Sequence, residues 1–446
     1  MTDNFNLLKS IKIESRKWNF SDVRINIPPM SLGSDASNPH TQYSNAIAVY
    51  TESKVFGIGA CFTLGDGNQF VCSAAERIVS NLDGKDLNDL LESKLGLAET
   101  LGNPLQLRWL SPNAGLPLMA AGLILNTLID FASKKAGLPT WKFLASLDIN
   151  ELFSLVSFRH LKNSSKIMEQ LIKNDPAPTE LHERIEELES SGLPAYFTTW
   201  IGSEAKELVE EIKGTHKITG ISKFKVKIGS DVALEQAKIE IILRDLPGDF
   251  LFAADANQRL DYTGATKWLE FLSTRKFLWL EEPFAPDNIL LFRELARERQ
   301  RQKWTCEIAT GENCPNLHTA HALLDAGIGR FQADPCRMLG ITDGAFSGVL
   351  ADLYKAKYTP HAGGAGLDEM SSHMHYFFLA KLNYKKPIEE SLTEYIGFCS
   401  KFYAFPSVVV NGMIKAPKAP GLLVGLAPEV TDKLIPFKEG VLWLEP

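Results

Sequence analysis

Three acids, Asp255, Glu281 and Glu312, stand 26 and 31 residues apart, each near the end of a short apolar run: FLFAADANQ, FLWLEEPF and CEIATGEN. An earlier run, KFKVKIG, carries Lys223, Lys225 and Lys227, the last of them 28 residues before Asp255. Asp334 in RFQADPC, His361 in YTPHAG and Glu394 in LTEYIGF follow at intervals of 22, 27 and 33 residues. Each interval is about the length of one strand and one helix.

The residue types say what such a set could do. Adjacent strands lie about 4.8 Å apart, so three carboxylates on neighbouring strand ends can meet at one point. Alone they would repel. An all-oxygen set without Cys or His suits a hard divalent ion, Mg²⁺ before Zn²⁺, completed by waters or substrate oxygens. Lys225 and Lys227, if they face the same mouth, would have the pKa of one lowered from about 10.4 towards neutrality by burial and the neighbouring ammonium. That lysine could then abstract a proton. Lys223, farther from the rim, is expected to face solvent. Opposite them, Asp334 could fix the tautomer of His361 and keep its proton available.

These side chains need elements that bring them together. From about residue 195, short apolar runs alternate with amphipathic helical stretches: AYFTTWI, KFKVKIG, FLFAADANQ, FLWLEEPF, CEIATGEN, RFQADPC and YTPHAG, with LTEYIGF as an eighth. Strands separated by helices pair in parallel. Eight such units predict an α/β fold, a modified (β/α)8 TIM-like barrel, whose active site lies at the C-terminal strand ends. No glycine-rich phosphate loop follows any strand, which argues against a nucleotide fold.

Residues 1 to about 110 read as strands and turns, with IAVYTES and VFGIGACFTLG as a hairpin. The run GLPLMAAGLILNTLIDFA is interrupted by Asn126 and Asp130 short of a membrane span and reads as a buried helix. It ends in Lys134, Lys135, Gly137 and Pro139, a basic last turn followed by a stop. The organisation expected is an α+β capping domain over 1–150, a barrel over 151–415 and a segment, 416–446, returning to the cap.

A formal net charge of −7 argues against nucleic acid or an anionic membrane as partner. The six cysteines form no C-x-x-C pair and follow no secretory leader, so reduced thiols in the cytoplasm are expected. Asp368, Glu369, His373 and His375 cluster in sequence, but histidines two apart do not share a helix face, so they read as helix packing. Cys314 and Cys336, near the expected rim, likewise read as packing residues.

At these positions the chain resembles the enolase superfamily, in its mandelate racemase branch. The matching pieces are Lys225-Val226-Lys227, DANQ from Asp255, EEP from Glu281, GEN with Glu312, and the Asp334/His361 pair. A Lys or His base acting with Mg²⁺ is a known pattern of this superfamily. A narrower resemblance is to the L-fuconate dehydratase subgroup, carried by SLGSDASNPHTQYSNA, CFTLGDG, QLRWL, FKVKIG, ADANQR, ADPCR, PHAGGAGL and TEY.

The resemblance implies an Mg²⁺-dependent hydro-lyase acting on a small acid sugar, in a homo-oligomer. Lys227 would take the proton α to the carboxylate, Lys225 and the metal would stabilise the enediolate, and His361 would protonate the departing 3-hydroxyl. Glu394 would hydrogen-bond the substrate carboxylate. Asn257, with Asp35 and Tyr43 of a flap spanning SDASNPHTQYS, would contact substrate. The chain departs from the subgroup at His40-Thr41-Gln42, where an acidic segment is usual, and at Leu260, Thr127 and Phe131. Racemisation or epimerisation on the same site, or sugar-acid sensing without catalysis, are the other readings of these residues.

Overall fold

A computed structural model describes the chain except for residues 1–3, 31–39, 94, 103, 104, 112, 200–203, 230, 398, 399, 423–425, 445 and 446. Three long antiparallel strands open the fold: β1 (Trp18–Met30), β2 (His40–Glu52) and β3 (Val55–Thr63). β2 and β3 form the expected hairpin, with Glu52 opposite Val55 and Ser53 in the left-handed conformation of its turn.

Residues 67–110 do not continue as strands and turns. They form the helices Gly67–Asn81, Leu87–Leu91, Gly96–Gly102 and Leu105–Leu110. In the first of these Val71, Ala74, Ala75, Ile78 and Val79 are buried at three- and four-residue spacing. That helical period is masked in sequence by the small and polar residues between them.

Helix Leu116–Ala136 is the centre of the cap. It is long and apolar enough to cross a membrane by length and composition, yet it lies buried inside the protein. Gly137 stops it at φ 68°, and its two polar interruptions tie other parts of the chain together. Asp130 accepts from Ile58 N at 2.7 Å and Leu422 N at 2.6 Å, and Asn126 accepts from Ile341 N at 2.9 Å. Gly57 and Gly59 of β3 pack directly on Thr127 and Phe131, where a side chain at either glycine would collide with the helix.

The barrel strands are β4 (Leu193–Thr198), β5 (Lys223–Lys227), β6 (Leu251–Asp255), β7 (Trp279–Glu281), β8 (Glu307–Thr310), β9 (Arg330–Phe331), β10 (Lys357–Tyr358) and β11 (Thr393–Tyr395). β4 to β10 pair in sequence order, all parallel, and β11 returns to pair in parallel with β4. This is the eight-stranded β/α architecture expected from the alternation of apolar runs and helices. The strands are shorter than those runs, so several polar residues stand beyond a strand end.

A helix follows each of the first seven strands. Four of these helices begin on an Asx side chain, Asp231, Asp261, Asn288 or Asn316, that accepts from the N–H three residues on. After β11 the short pair β12 (Val409–Val410) and β13 (Met413–Ile414) packs antiparallel on β4. The last strand, β14 (Val441–Leu444), returns to the cap and pairs in parallel with β1. The five described cysteines are buried and none is in a disulfide.

Candidate active site

Strand alternation places the lysines of β5. Phe224 turns outward onto Phe250 and Phe252, so Lys225 and Lys227 turn into the barrel. Lys227 lies level with Asp255, and Asp255 with Glu281, on neighbouring strands. Glu312 lies two residues past β8, beyond Gly311 at φ 134°, where a Cβ would lie 2.8 Å from Gln332 N. One oxygen each from Asp255, Glu281 and Glu312 lies within 4.8 Å of the others. That donor set fits a hard divalent cation.

One of the two lysines is expected to have a lowered pKa, and Lys225 is not that one. Its ammonium is completely buried, with Glu281 at 2.5 Å, Glu394 at 2.9 Å and Asp255 at 3.4 Å. Burial alone would lower its pKa, but the carboxylates outweigh it and hold the group well above its usual value. Lys227 is more open, and its Nζ reaches Asp255 Oδ2 at 2.5 Å. Lys223, at the other end of the strand, is half-buried rather than fully in solvent.

The acids respond to the same charges. Burial would raise Asp255, yet Lys227 and Lys225 hold it well below the usual carboxylate range. Glu394 is likewise brought to about 2, with Lys225 and His361 overcoming burial. Glu394 also accepts from Thr198 Oγ1 and, at 2.6 Å, from Ala362 N. For Glu281 burial prevails over Lys225, and its carboxyl rises to about 7.

On the other side, His361 Nδ1 lies 2.8 Å from Asp334 Oδ2, and its Nε2 lies 3.4 Å from Glu312 Oε2. Burial disfavours the imidazolium, but Glu312 and the Asp334 hydrogen bond raise the group to about 9. Asp334 is itself anchored by Cys336 N at 2.6 Å.

The loops around the triad carry residues that sequence reasoning missed. Gln258 donates to Glu282 at 2.8 Å, and Asn313 donates to Glu282 and Glu312 at 3.2 Å each, tying three strand ends together. Asn257, Gln258 and Glu282 all adopt positive φ, 42°, 65° and 38°, a conformation uncommon outside glycine. Asn257 therefore lies in a turn beyond β6, and its N–H caps Asp255 Oδ1 at 2.9 Å. Trp279 and Gln332 bond Glu281 from within the barrel. Their signal was present, since each sits two residues before an acid and so shares its strand face.

The cap covers the loops after β9 and β10. Phe62 packs against Gly364, and its carbonyl accepts from Arg337 Nη1 at 2.8 Å. Asn45 Nδ2 donates to Ala365 O at 3.1 Å. Tyr43 is buried edge-on against Phe62, with ring centroids 5.0 Å apart. Asp35 falls outside the described residues. Asp368, Glu369, His373 and His375 are buried in helix Leu367–Phe377. Burial pulls both histidines down to about 3, so they pack as neutral rings. Cys314, raised to about 12 by burial, is a packing thiol.

Comparison with known proteins agrees with this fold. Residues 207–430 match the family described as enolase C-terminal domain-like. The chain is 30% identical over 432 residues to human mitochondrial enolase superfamily member 1, covering 95% of each chain. It is also 30% identical over 430 residues to L-galactonate dehydratase of Hypocrea jecorina, covering 95% of this chain and 94% of that one. The crystal structure of the human protein superposes with a TM-score of 0.86 at 28% identity, covering 97% of this chain and 98% of the other. L-talarate/galactarate dehydratase from Salmonella typhimurium LT2, liganded with Mg and L-lyxarohydroxamate, shares the fold with a TM-score of 0.71 at 19% identity, covering 94% and 92%. The chain belongs to the enolase superfamily, in its mandelate racemase and acid-sugar dehydratase branch.

Proposed function

We propose that this chain is an Mg²⁺-dependent acid-sugar dehydratase that converts L-fuconate, or an acid sugar of closely related configuration, to a 2-keto-3-deoxy acid. The observation that carries the reading is the pairing of two proton-transfer groups around one acidic triad. Lys227 ends β5, the Asp334/His361 pair follows β9 and β10, and the strands bearing Asp255, Glu281 and Glu312 lie between. The relation to L-galactonate dehydratase supports a hydro-lyase.

Mg²⁺ held by Asp255, Glu281 and Glu312 would supply the positive charge that makes the carbon α to a bound carboxylate acidic. Lys227, the more open of the two lysines, removes the α-proton. Lys225 stays charged and hydrogen-bonds the oxygen on which negative charge develops. His361, kept protonated by its carboxylate neighbours, gives a proton to the 3-hydroxyl as its C–O bond breaks. Glu394, held ionised, anchors the Lys225 ammonium at 2.9 Å rather than bonding the substrate carboxylate, which it would repel, while Asn257 and Tyr43 contact the rest of the sugar acid. The buried, unbonded thiols suit a reducing compartment such as the cytoplasm.

The experiment is a screen of acid sugars with Mg²⁺, scoring 2-keto-3-deoxy acid formation. A hit on L-fuconate or a close stereoisomer is expected. Interconversion of epimers without keto-acid formation would instead establish a racemase, and no turnover with any acid sugar would refute the reading.

A further inference from the structure

The carboxylate of Glu281 is held on both oxygens. Oε2 accepts from Trp279 Nε1 at 2.8 Å and from Gln332 Nε2 at 2.6 Å. Oε1 accepts from Lys225 Nζ at 2.5 Å. A carboxylate offers about four lone-pair directions, two on each oxygen. Two N–H donors on Oε2 use both of its directions, so a cation has access to Glu281 through Oε1.

The two donors are fixed. Trp279 is completely buried, packed edge-on against Tyr196 at 5.2 Å between centroids, with the Arg330 guanidinium 4.4 Å from its ring. Gln332 is also buried, and its other amide atom, Oε1, has no hydrogen-bond partner. An amide buried with one end unsatisfied is worse for stability than an apolar side chain of the same shape. Its NH₂ end, placed on Glu281, explains why a glutamine stands there.

We propose that Trp279 and Gln332 are positioning residues that set metal selectivity: by occupying Oε2 they confine Glu281 to one-oxygen ligation and favour Mg²⁺ over Ca²⁺. Mg²⁺ requires a compact octahedron of single oxygens, whereas the larger Ca²⁺ takes more ligands and gains from carboxylates that bind through both. This inference rests on reading Asp255, Glu281 and Glu312 as a divalent-cation site.

The test is calorimetric titration of the EDTA-stripped full chain with Mg²⁺ and with Ca²⁺, without substrate, for the unmodified protein, Gln332→Leu and Trp279→Phe. Gln332→Leu keeps the bulk and removes a donor, whereas Trp279→Phe removes a donor together with part of the ring system. The unmodified chain should prefer Mg²⁺. Either variant should lower the ratio of the Ca²⁺ to the Mg²⁺ dissociation constant by about tenfold, the lower end of effects seen when such supporting bonds are lost. Far-UV circular dichroism confirms folding.

Equal weakening of both ions in a folded variant would overturn the proposal and reduce the pair to packing. An unmodified chain that binds Ca²⁺ as tightly as Mg²⁺ would overturn it without any variant. A chain that binds neither ion fails earlier, at the cation site itself, and takes this inference with it.

Discussion

Asp334 Oδ2 accepts the Nδ1 proton of His361 at 2.8 Å, which leaves Nε2 as the ring nitrogen that faces Glu312. The tautomer and the orientation of the ring are thereby set from one side, while Nε2, which accepts from Gly363 N at 3.1 Å, is the nitrogen left for proton transfer.

Replacing His361 by Asn should therefore slow elimination by about 10²–10⁴, the range typical of general acid catalysis, while exchange of the substrate's C2 proton with D₂O continues. Proton NMR in D₂O follows both. A folded, metal-loaded His361→Asn enzyme silent in exchange would make the histidine the base.

Lys227→Ala should lose exchange and elimination together, because no enediolate forms without the base. The same NMR assay decides it. Persistent C2 exchange in this variant would move the base elsewhere.

The pH profile follows from the raised pKa of His361, about 9. The acid acts only when protonated, so kcat for elimination should hold below that value and fall about tenfold per pH unit above it. Asp334→Asn removes one of the carboxylates that raise the group, and should shift the falling limb to lower pH. An alkaline limb that stays in place in Asp334→Asn would assign it to another group.

Removing a ligand tests the metal independently of turnover. Glu281→Gln should weaken Mg²⁺ binding by at least about tenfold, since a strongly hydrated ion loses one of three anionic partners. EDTA should abolish activity and Mg²⁺ restore it. Full activity after exhaustive EDTA treatment would contradict the assignment.

A stability prediction comes from outside the mouth. Asp343 is fully buried in helix Gly340–Leu353, with Oδ1 accepting from Ser157 N at 2.8 Å and Oδ2 unpartnered. Burial raises its carboxyl from 3.8 to about 8. Between those values the folded chain keeps a proton that the unfolded chain has released, so stability falls as pH rises. Asn cannot ionise. Asp343→Asn should gain on the unmodified protein between pH 5 and pH 8, by on the order of 1–3 kcal/mol, seen as a widening difference in Tm. Parallel Tm curves across that range would rule it out.

How much of this was legible in the sequence differs from residue to residue. Asp255, Glu281, Glu312, Asp334 and His361 were readable because each follows a short apolar run at the interval of a strand-helix unit. The state of Lys225 was not, because it depends on register: Glu281 and Glu394, 56 and 169 residues away in sequence, converge on one ammonium only after the barrel closes. The helices between residues 67 and 110 were missed for a local reason, since three of the four are only 5, 7 and 6 residues long and span too few turns to show a period. The turn at Asn257 and Gln258 was hidden too, because two non-glycine residues at positive φ violate the rule by which turns are recognised.

The pairing of β14 with β1 has a consequence for the order in which the protein can be made. Asp22 has Val441 as its parallel partner, so one edge of the first sheet stays open until the residues of β14 have been synthesised. Such an edge is a template for pairing with other chains. A ribosome that stalls after the barrel would release a chain with the reaction groups assembled and that edge unprotected. Until β14 is made, that edge is open to pairing with other chains and to capture by chaperones.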